Sequence, residues 1–261
     1  VNEETVPRPA ASPGGHSLLV IVFLGCIFAL GLIRIEDPDT WTHLSFGRWI
    51  WEHQALPAGE PFIDTGSPFS YNNWLFGLLY YAAYLAGGYG GVVILKATII
   101  TLIFALLLRI SVMTGGNLVV SVLVLGAVAI GLRFRFVERP DTLMMLFLAY
   151  AIFSLGAFLQ GKRKYLWFMP VVSLLWANVH TSILMMLLPF GAVLAGGFFQ
   201  LVMERAGLAR RLAPFIAFAP APSAGQLRTV ATVAAISVGT SLVSPYFLDQ
   251  YLHSVGALHS D

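Results

Sequence analysis

Polarity along this chain changes in blocks and not residue by residue. Apolar runs occupy 17–33, 74–88, 92–113, 118–132, 143–160, 165–177, 182–203 and 229–243. Each is apolar on all sides, unlike a surface helix with one wet face, so each predicts a helix buried in protein or lipid. A hydrocarbon core takes about 20 apolar helical residues to cross, and the pattern therefore predicts an all-α polytopic transmembrane bundle of about seven to eight helices. The separators differ in kind: 87–91 and 114–117 are small and turn-like, 161–164 and 204–211 are basic, and 214–225 is rich in Pro and Ala, a loop or surface segment. Residues 1–16, with prolines and mixed charge, predict a flexible tail ahead of a single membrane domain over 17–261. No small-residue cleavage pattern follows the first run, which reads as a retained anchor.

Basic short loops stay on the cytoplasmic side, so Lys162, Arg163, Lys164, Arg205, Arg210 and Arg211 are expected inside. The loops around Arg133–Asp141, Asn178–Thr181 and 244–247 then lie outside. An inside N-terminus and an outside first loop conflict with this count if every run crosses. Either the N-terminus is outside, or one of the short runs, 74–88 or 118–132, does not cross. Fifteen residues rise only ~22 Å, short of the hydrocarbon thickness, which favours the second reading and seven complete crossings.

Composition agrees with a membrane location: 57% hydrophobic and 11% charged residues with a mean hydropathy of +0.79 are more than a soluble domain of 261 residues could bury. The 15 Lys and Arg residues sit in short clusters and the net charge is only +2, which argues against nucleic acid as a partner. Cys26 is the single cysteine, so an intrachain disulfide or thiolate metal site is excluded. The histidines lack zinc spacing, and the glycines of 87–91 lack the lysine of a phosphate loop.

Candidate chemistry gathers in the first loop, 34–73, where Glu36, Asp37 and Asp39 stand directly at the end of a membrane helix. Asp39 or Thr40 could cap a following amphipathic helix with Trp41, Leu44, Trp49, Ile50 and Trp51 on its apolar side. That helix is expected in the interface plane, with Thr40, His43 and Gly47 on its wetter face; a merely capping Asp39 and solvated Asp37 remain an equal alternative. Arg133, Arg135 and Arg139 lie among Glu138 and Asp141 at a membrane boundary, and could hold an anionic lipid headgroup or diphosphate, or only pair internally. Asn178 and His180 interrupt two apolar runs and could position a phosphate or hydroxyl, or simply satisfy a turn. Lys96 and Arg109 are expected to snorkel toward the two interfaces.

The run Asp37, Pro38, Asp39, Thr40, Trp41, Thr42, His43, Leu44, with Gly47, Arg48, Trp49, Ile50, then Pro61, Phe62 and Asn73, Trp74, Leu75, resembles the first external loop of bacterial GT-C membrane glycosyltransferases, distant kin of protein O-mannosyltransferases and aminoarabinose transferases. Arg139, Pro140, Asp141, then Trp176, Ala177, Asn178, Val179, His180, then Ser244, Pro245, Tyr246 resemble later landmarks of that group in the same order. The resemblance implies a polyprenyl-phosphate-linked sugar donor used at the periplasmic face of the bacterial cytoplasmic membrane. It implies Asp37 as catalytic base, with Asp39 or Glu36 as substitutes. Substrate contacts would come from His43, Arg48, Arg133, Arg135, Arg139, Asn178 and His180. Some relatives hold a divalent metal, so Asp37 and Asp39 become candidate ligands for Mg or Mn. Asn72 and Asn73 stand where relatives carry His-Glu, and the family pattern continues past Asp261. Those departures are what a shortened or repurposed, non-catalytic member would carry. Such a member would serve as an assembly subunit with membrane protein partners.

Overall fold

The structure, a computed structural model, describes residues 13–63, 71–207 and 221–246. Every regular element among them is helical, as the block pattern predicts. In chain order they are α1 (Pro13–Gly31), α2 (Asp39–His53), α3 (Trp74–Met113), α4 (Leu118–Gly131), α5 (Pro140–Leu159), α6 (Arg163–Trp167), α7 (Met169–Val179), α8 (Leu187–Arg205) and α9 (Ala224–Ser241). Short 3-10 turns at Arg133–Arg135 and Ser182–Met186 precede α5 and α8. The predicted tail up to residue 12, the end of the 204–211 cluster with Arg210 and Arg211, and most of the 214–225 loop lie outside the described residues; residues 13–16 of the expected tail form the start of α1.

Local chemistry sets the helix ends. The Asn117 side chain accepts hydrogen bonds from the amides of Val119 and Val120 at the start of α4. Ser223 and Gln226 form a reciprocal capping box on α9. Pro140 opens α5 at a position whose amide would have no helical partner.

Three helical stretches are long and apolar enough to cross a membrane: Trp74–Met113, Pro140–Leu159 and Ser182–Arg205. Gly15–Gly31 and Leu118–Gly131 are apolar but shorter. Helices of this composition, with Ile21, Leu123, Ile130, Leu188 and Phe198 turned outward, are those of a membrane protein. The larger number of crossings predicted from the sequence is not met by length and composition alone.

The 40 residues of α3 are two limbs joined at Gly87 (φ −156°, ψ 21°) and Gly88 (φ 58°, ψ −148°). Gly88 takes a left-handed conformation that a side chain would resist. The chain doubles back there: a Cβ on Gly91 would stand 2.2 Å from the carbonyl oxygen of Ala83, eight residues earlier. In a straight helix those residues would be ~12 Å apart along the axis. The first limb starts where the Trp74 indole meets Asn178 and finishes where Tyr89 packs edge-to-face on Trp41. Both of its ends are therefore at the same end of the bundle, and this run, one of the two short ones singled out above, does not traverse it.

The second limb runs back beside α1, with Gly31 against Ala97 and with His16 and Ser17 beside Arg109 and Val112. α4 and α5 follow in alternating direction, and Gln160 closes the far end by donating to the Met113 carbonyl. α5, α7, α8 and α9 share a core around Trp176, Met169, Phe190 and Val233. The result gathers 34–39, 133–141, 178–181 and 243–246 at one end, and Lys162, Arg163, Lys164 and Arg205 at the other.

Lys96 departs from expectation. It does not snorkel but lies fully buried, its Nζ 2.6 Å from Glu138 Oε1 and 2.9 Å from the Ile33 carbonyl oxygen. A carboxylate within reach removes the reason to climb to water. Arg109 remains exposed.

Candidate functional site

The polar end is organised by α2. Its expected wetter face turns inward: Thr40, His43 and Gly47 are buried together with Leu44 and Ile50 of the expected apolar side, and Trp41 and Trp51 face outward. The reason is close backbone packing. A Cβ on Gly47 would stand 2.1 Å from the Gly77 carbonyl oxygen, so small residues, not the largest apolar ones, form the contact face. Leu44, Phe46 and Ile50 fill the space on either side.

Neither Asp39 nor Thr40 caps the helix. Pro38 occupies the cap position without a side-chain bond, and Asp37 accepts from the Asp39 amide at 3.0 Å through Oδ1. The Asp37 side chain is almost wholly buried, and the Arg139 guanidinium forks across it, Nε on Oδ2 and Nη2 on Oδ1, the latter at 3.1 Å. Arg139 Nη2 also lies 3.0 Å from Asp39 Oδ2. Planar bidentate pairing of this kind fixes both partners in orientation as well as in charge. Burial alone would push the Asp37 carboxyl up, but the Arg139 hydrogen bonds, the Asp39 amide and the Arg139 charge bring it below its usual range.

Beside this group, His43 Nδ1 is 2.7 Å from the Tyr71 hydroxyl, and the edge of the His43–Phe76 pair completes its burial. Burial lowers the His43 imidazole to about 4 despite the neighbouring Asp39 and Asp37, so it is neutral at physiological pH. Tyr71 is tied in turn by its amide to the Tyr246 hydroxyl at 3.1 Å. Trp74 donates to Asn178 Oδ1 at 3.0 Å, and Asn178 donates to the Leu174 and Val243 carbonyls. These bonds lash the first loop to the ends of α7 and α9.

Among the predicted site residues, the structure brings together Asp37, Asp39, Arg139 and His43. The others go elsewhere. Glu36 pairs with Arg34 at 2.9 Å on the surface, and Arg48 pairs with Glu52 at 2.8 Å on the outer face of α2. Arg135 pairs with Asp141 at 2.8 Å, while Arg133 faces a separate cleft with Glu36 and Glu138. Asn178 spends its amide on structural bonds. His180 Nδ1 accepts from the Ser182 amide at 3.0 Å, which satisfies a turn; its burial holds the imidazole below the ordinary histidine range.

The carboxylates do not fit a divalent metal. Arg139 occupies both Asp37 and Asp39, Asp141 is paired with Arg135, and among the described residues no group of three His, Cys, Asp or Glu side chains could hold an ion. A guanidinium in that position repels the cation that would replace it.

Sequence reasoning missed Tyr71 and the Lys96–Glu138 pair, and it marked Trp74 and Tyr246 only as landmarks of the resemblance, without the contacts they make. A lysine at the fifth position of the 92–113 apolar run was the available signal for the pair; nothing in the sequence marks Tyr71. Compared with protein-family models, with curated proteins and with solved structures, the chain matches none of them.

Proposed function

We propose that this chain is a GT-C-type membrane glycosyltransferase that takes a sugar from a polyprenyl-phosphate donor at the polar end of its bundle. The observation that carries the proposal is Arg139: it grips the buried Asp37 carboxylate while 40% of its own side chain stays open at the mouth. A guanidinium so placed can release an acid and receive a phosphate in one movement.

The seven traversing segments are α1, the second limb of α3, α4, α5, α6 with α7, the Ser182–Arg205 stretch, and α9. Lys162, Arg163, Lys164 and Arg205 then face the cytoplasm, and the Asp37 end faces the periplasm of a bacterial inner membrane. This placement agrees with the doubling back at Gly88, which removes one crossing from the count.

In the reaction, an acceptor hydroxyl oxygen attacks the anomeric carbon and its proton passes to Asp37. The bond from that carbon to the phosphate oxygen breaks, and the electron pair leaves with the phosphate. Clamped by Arg139, Asp37 is a weak base. As Arg139 turns to the incoming phosphate, the carboxylate loses the charge that depressed it and becomes a better proton acceptor. Arg139 then meets the growing charge on the leaving group. Neutral His43, with Nδ1 facing the Tyr71 hydroxyl, contributes position and not a second base.

Asp37→Asn preserves shape and removes the base. In membranes supplied with a polyprenyl-phosphate sugar, it should lower product formation about 10²–10⁴-fold at unchanged protein level. Product at the wild-type rate overturns the assignment. A second reading, a non-catalytic subunit of a membrane complex, is favoured by the engagement of both Asp37 oxygens and by the structural use of Asn178 and His180. It expects a silent Asp37→Asn and stoichiometric copurification with partner proteins.

A further inference from the structure

The cleft that draws Arg133 away from Asp37 has a chemistry of its own. It has a volume of about 310 Å³ and lies between the 33–36 and 133–138 segments, with Arg34, Arg133, Glu36 and Glu138 as its charged groups. Glu138 is neutralised by buried Lys96. Arg34 engages Glu36 through Nε alone, and the Arg133 side chain has no hydrogen bond or ion pair among the described residues. The cleft therefore carries one uncompensated positive charge and two guanidiniums with donors to spare.

On the other side of the same backbone stretch, meeting the cleft at Ile33 and Arg34, is an apolar groove of about 580 Å³. Its floor includes Leu32, Val93 and Ile94, and its rim is the Trp41–Tyr89 pair, ring centroids 5.3 Å apart. Trp and Tyr of this kind mark the level at which hydrocarbon gives way to headgroups. Neither hollow is lined by Asp37 or Arg139.

We propose that Arg34 and Arg133 hold the phosphate of an anionic phospholipid of the surrounding bilayer, with an acyl chain laid in the Trp41–Tyr89 groove. The occupant follows from charge and shape together. Guanidiniums at a membrane boundary favour a phosphate that presents itself at that depth, and a groove beside exposed Leu32 and Ile94 is open to lipid already in the bilayer. This assignment stands whether or not the chain transfers sugars.

The test uses the purified full chain in detergent, titrated with phosphatidylglycerol or phosphatidylcholine carrying brominated acyl chains. Tryptophan quenching and native mass spectrometry report contact and retention. Phosphatidylglycerol should be retained in preference, with Arg34→Gln and Arg133→Gln each reducing that preference about fivefold. Trp41→Phe should remove the phosphatidylglycerol-specific part of the quenching. Arg109→Gln, at the opposite end of the bundle, should leave the preference intact, and melting temperatures should show all variants folded. Equal retention of the two lipids, an unchanged preference in the double arginine variant, or retention of added polyprenyl phosphate with no retention of phosphatidylglycerol would each overturn the proposal.

Discussion

Glu138 and Arg139 are neighbours in sequence, and each makes an ion pair, yet the two pairs are opposite in character. Glu138 turns inward to Lys96, and both side chains are sealed, at 1% and 0% exposure. Arg139 turns outward to Asp37 and Asp39, and only Asp37 is sealed. A sealed pair has one geometry and anchors the loop that carries it. An open pair can exchange its partner for a ligand. The first fixes the position of the second, because Lys96 also holds the Ile33 carbonyl and so joins the end of α1 to the approach of α5.

The largest effect should follow from breaking the sealed pair. Lys96→Ala leaves Glu138 buried without its cation, at a cost of about 3–5 kcal/mol. The Oε2 of Glu138 and the Tyr80 hydroxyl are buried and already lack hydrogen-bond partners among the described residues, so the polar cluster is incompletely satisfied even when intact. Replacing both members, Lys96→Met with Glu138→Leu, should therefore recover most of the loss. Melting of the two variants in detergent checks this. A single variant as mild as Arg139→Gln would erase the distinction between the pairs.

How much of this was visible in the sequence follows from which interactions are local. The helical blocks, the break near the glycines of 87–91 and the collection of polar loops at one end follow from apolar runs and basic separators, which are properties of neighbouring residues. The pairing of Asp37 with Arg139 was half legible: both were candidates, but only folding could choose Arg139 over Arg133 and Arg135, one of which took Asp141 and the other a cleft. The facing of α2 was misjudged because size ranks residues by hydrophobic burial, while Gly47 and Gly77 rank them by how closely two backbones approach. Tyr71 and Tyr246 join segments distant in sequence, and no local pattern announces that they meet.

The open pair should show an asymmetry that the sealed one lacks. Arg139→Gln strands a buried carboxylate and should cost about 1–3 kcal/mol, whereas Asp37→Asn leaves a half-exposed guanidinium that water can solvate and should cost about 1 kcal/mol or less. Equal losses on melting would mean that Arg139 is as confined as Lys96. The same surroundings predict a pH response. An unfolded chain protonates His43 near 6.5 and the folded chain only near about 4. Between those values the unfolded state holds more protons, so stability falls as pH falls, by at most about 1.4 kcal/mol per pH unit. Asp37, with its folded value lowered, adds its own loss only below the ordinary carboxyl range. His43→Gln should flatten the melting profile between pH 6.5 and 5; an unchanged slope would place the response elsewhere.

The smallest effect completes the series with a pair open on both sides. Arg48 and Glu52 are one helical turn apart on α2, with side chains 65% and 47% exposed. Water and salt screen such a pair, and holding two long side chains together offsets what attraction remains. The resemblance to glycosyltransferases implies Arg48 as a substrate contact, but its outward direction separates it from Asp37 and from both hollows. Arg48→Ala should accordingly leave the melting temperature within error, and leave product formation and phosphatidylglycerol retention at their wild-type levels. A loss of product with normal melting would return Arg48 to the site, and would require the donor to approach across the outer face of α2 instead of through the mouth at Arg139.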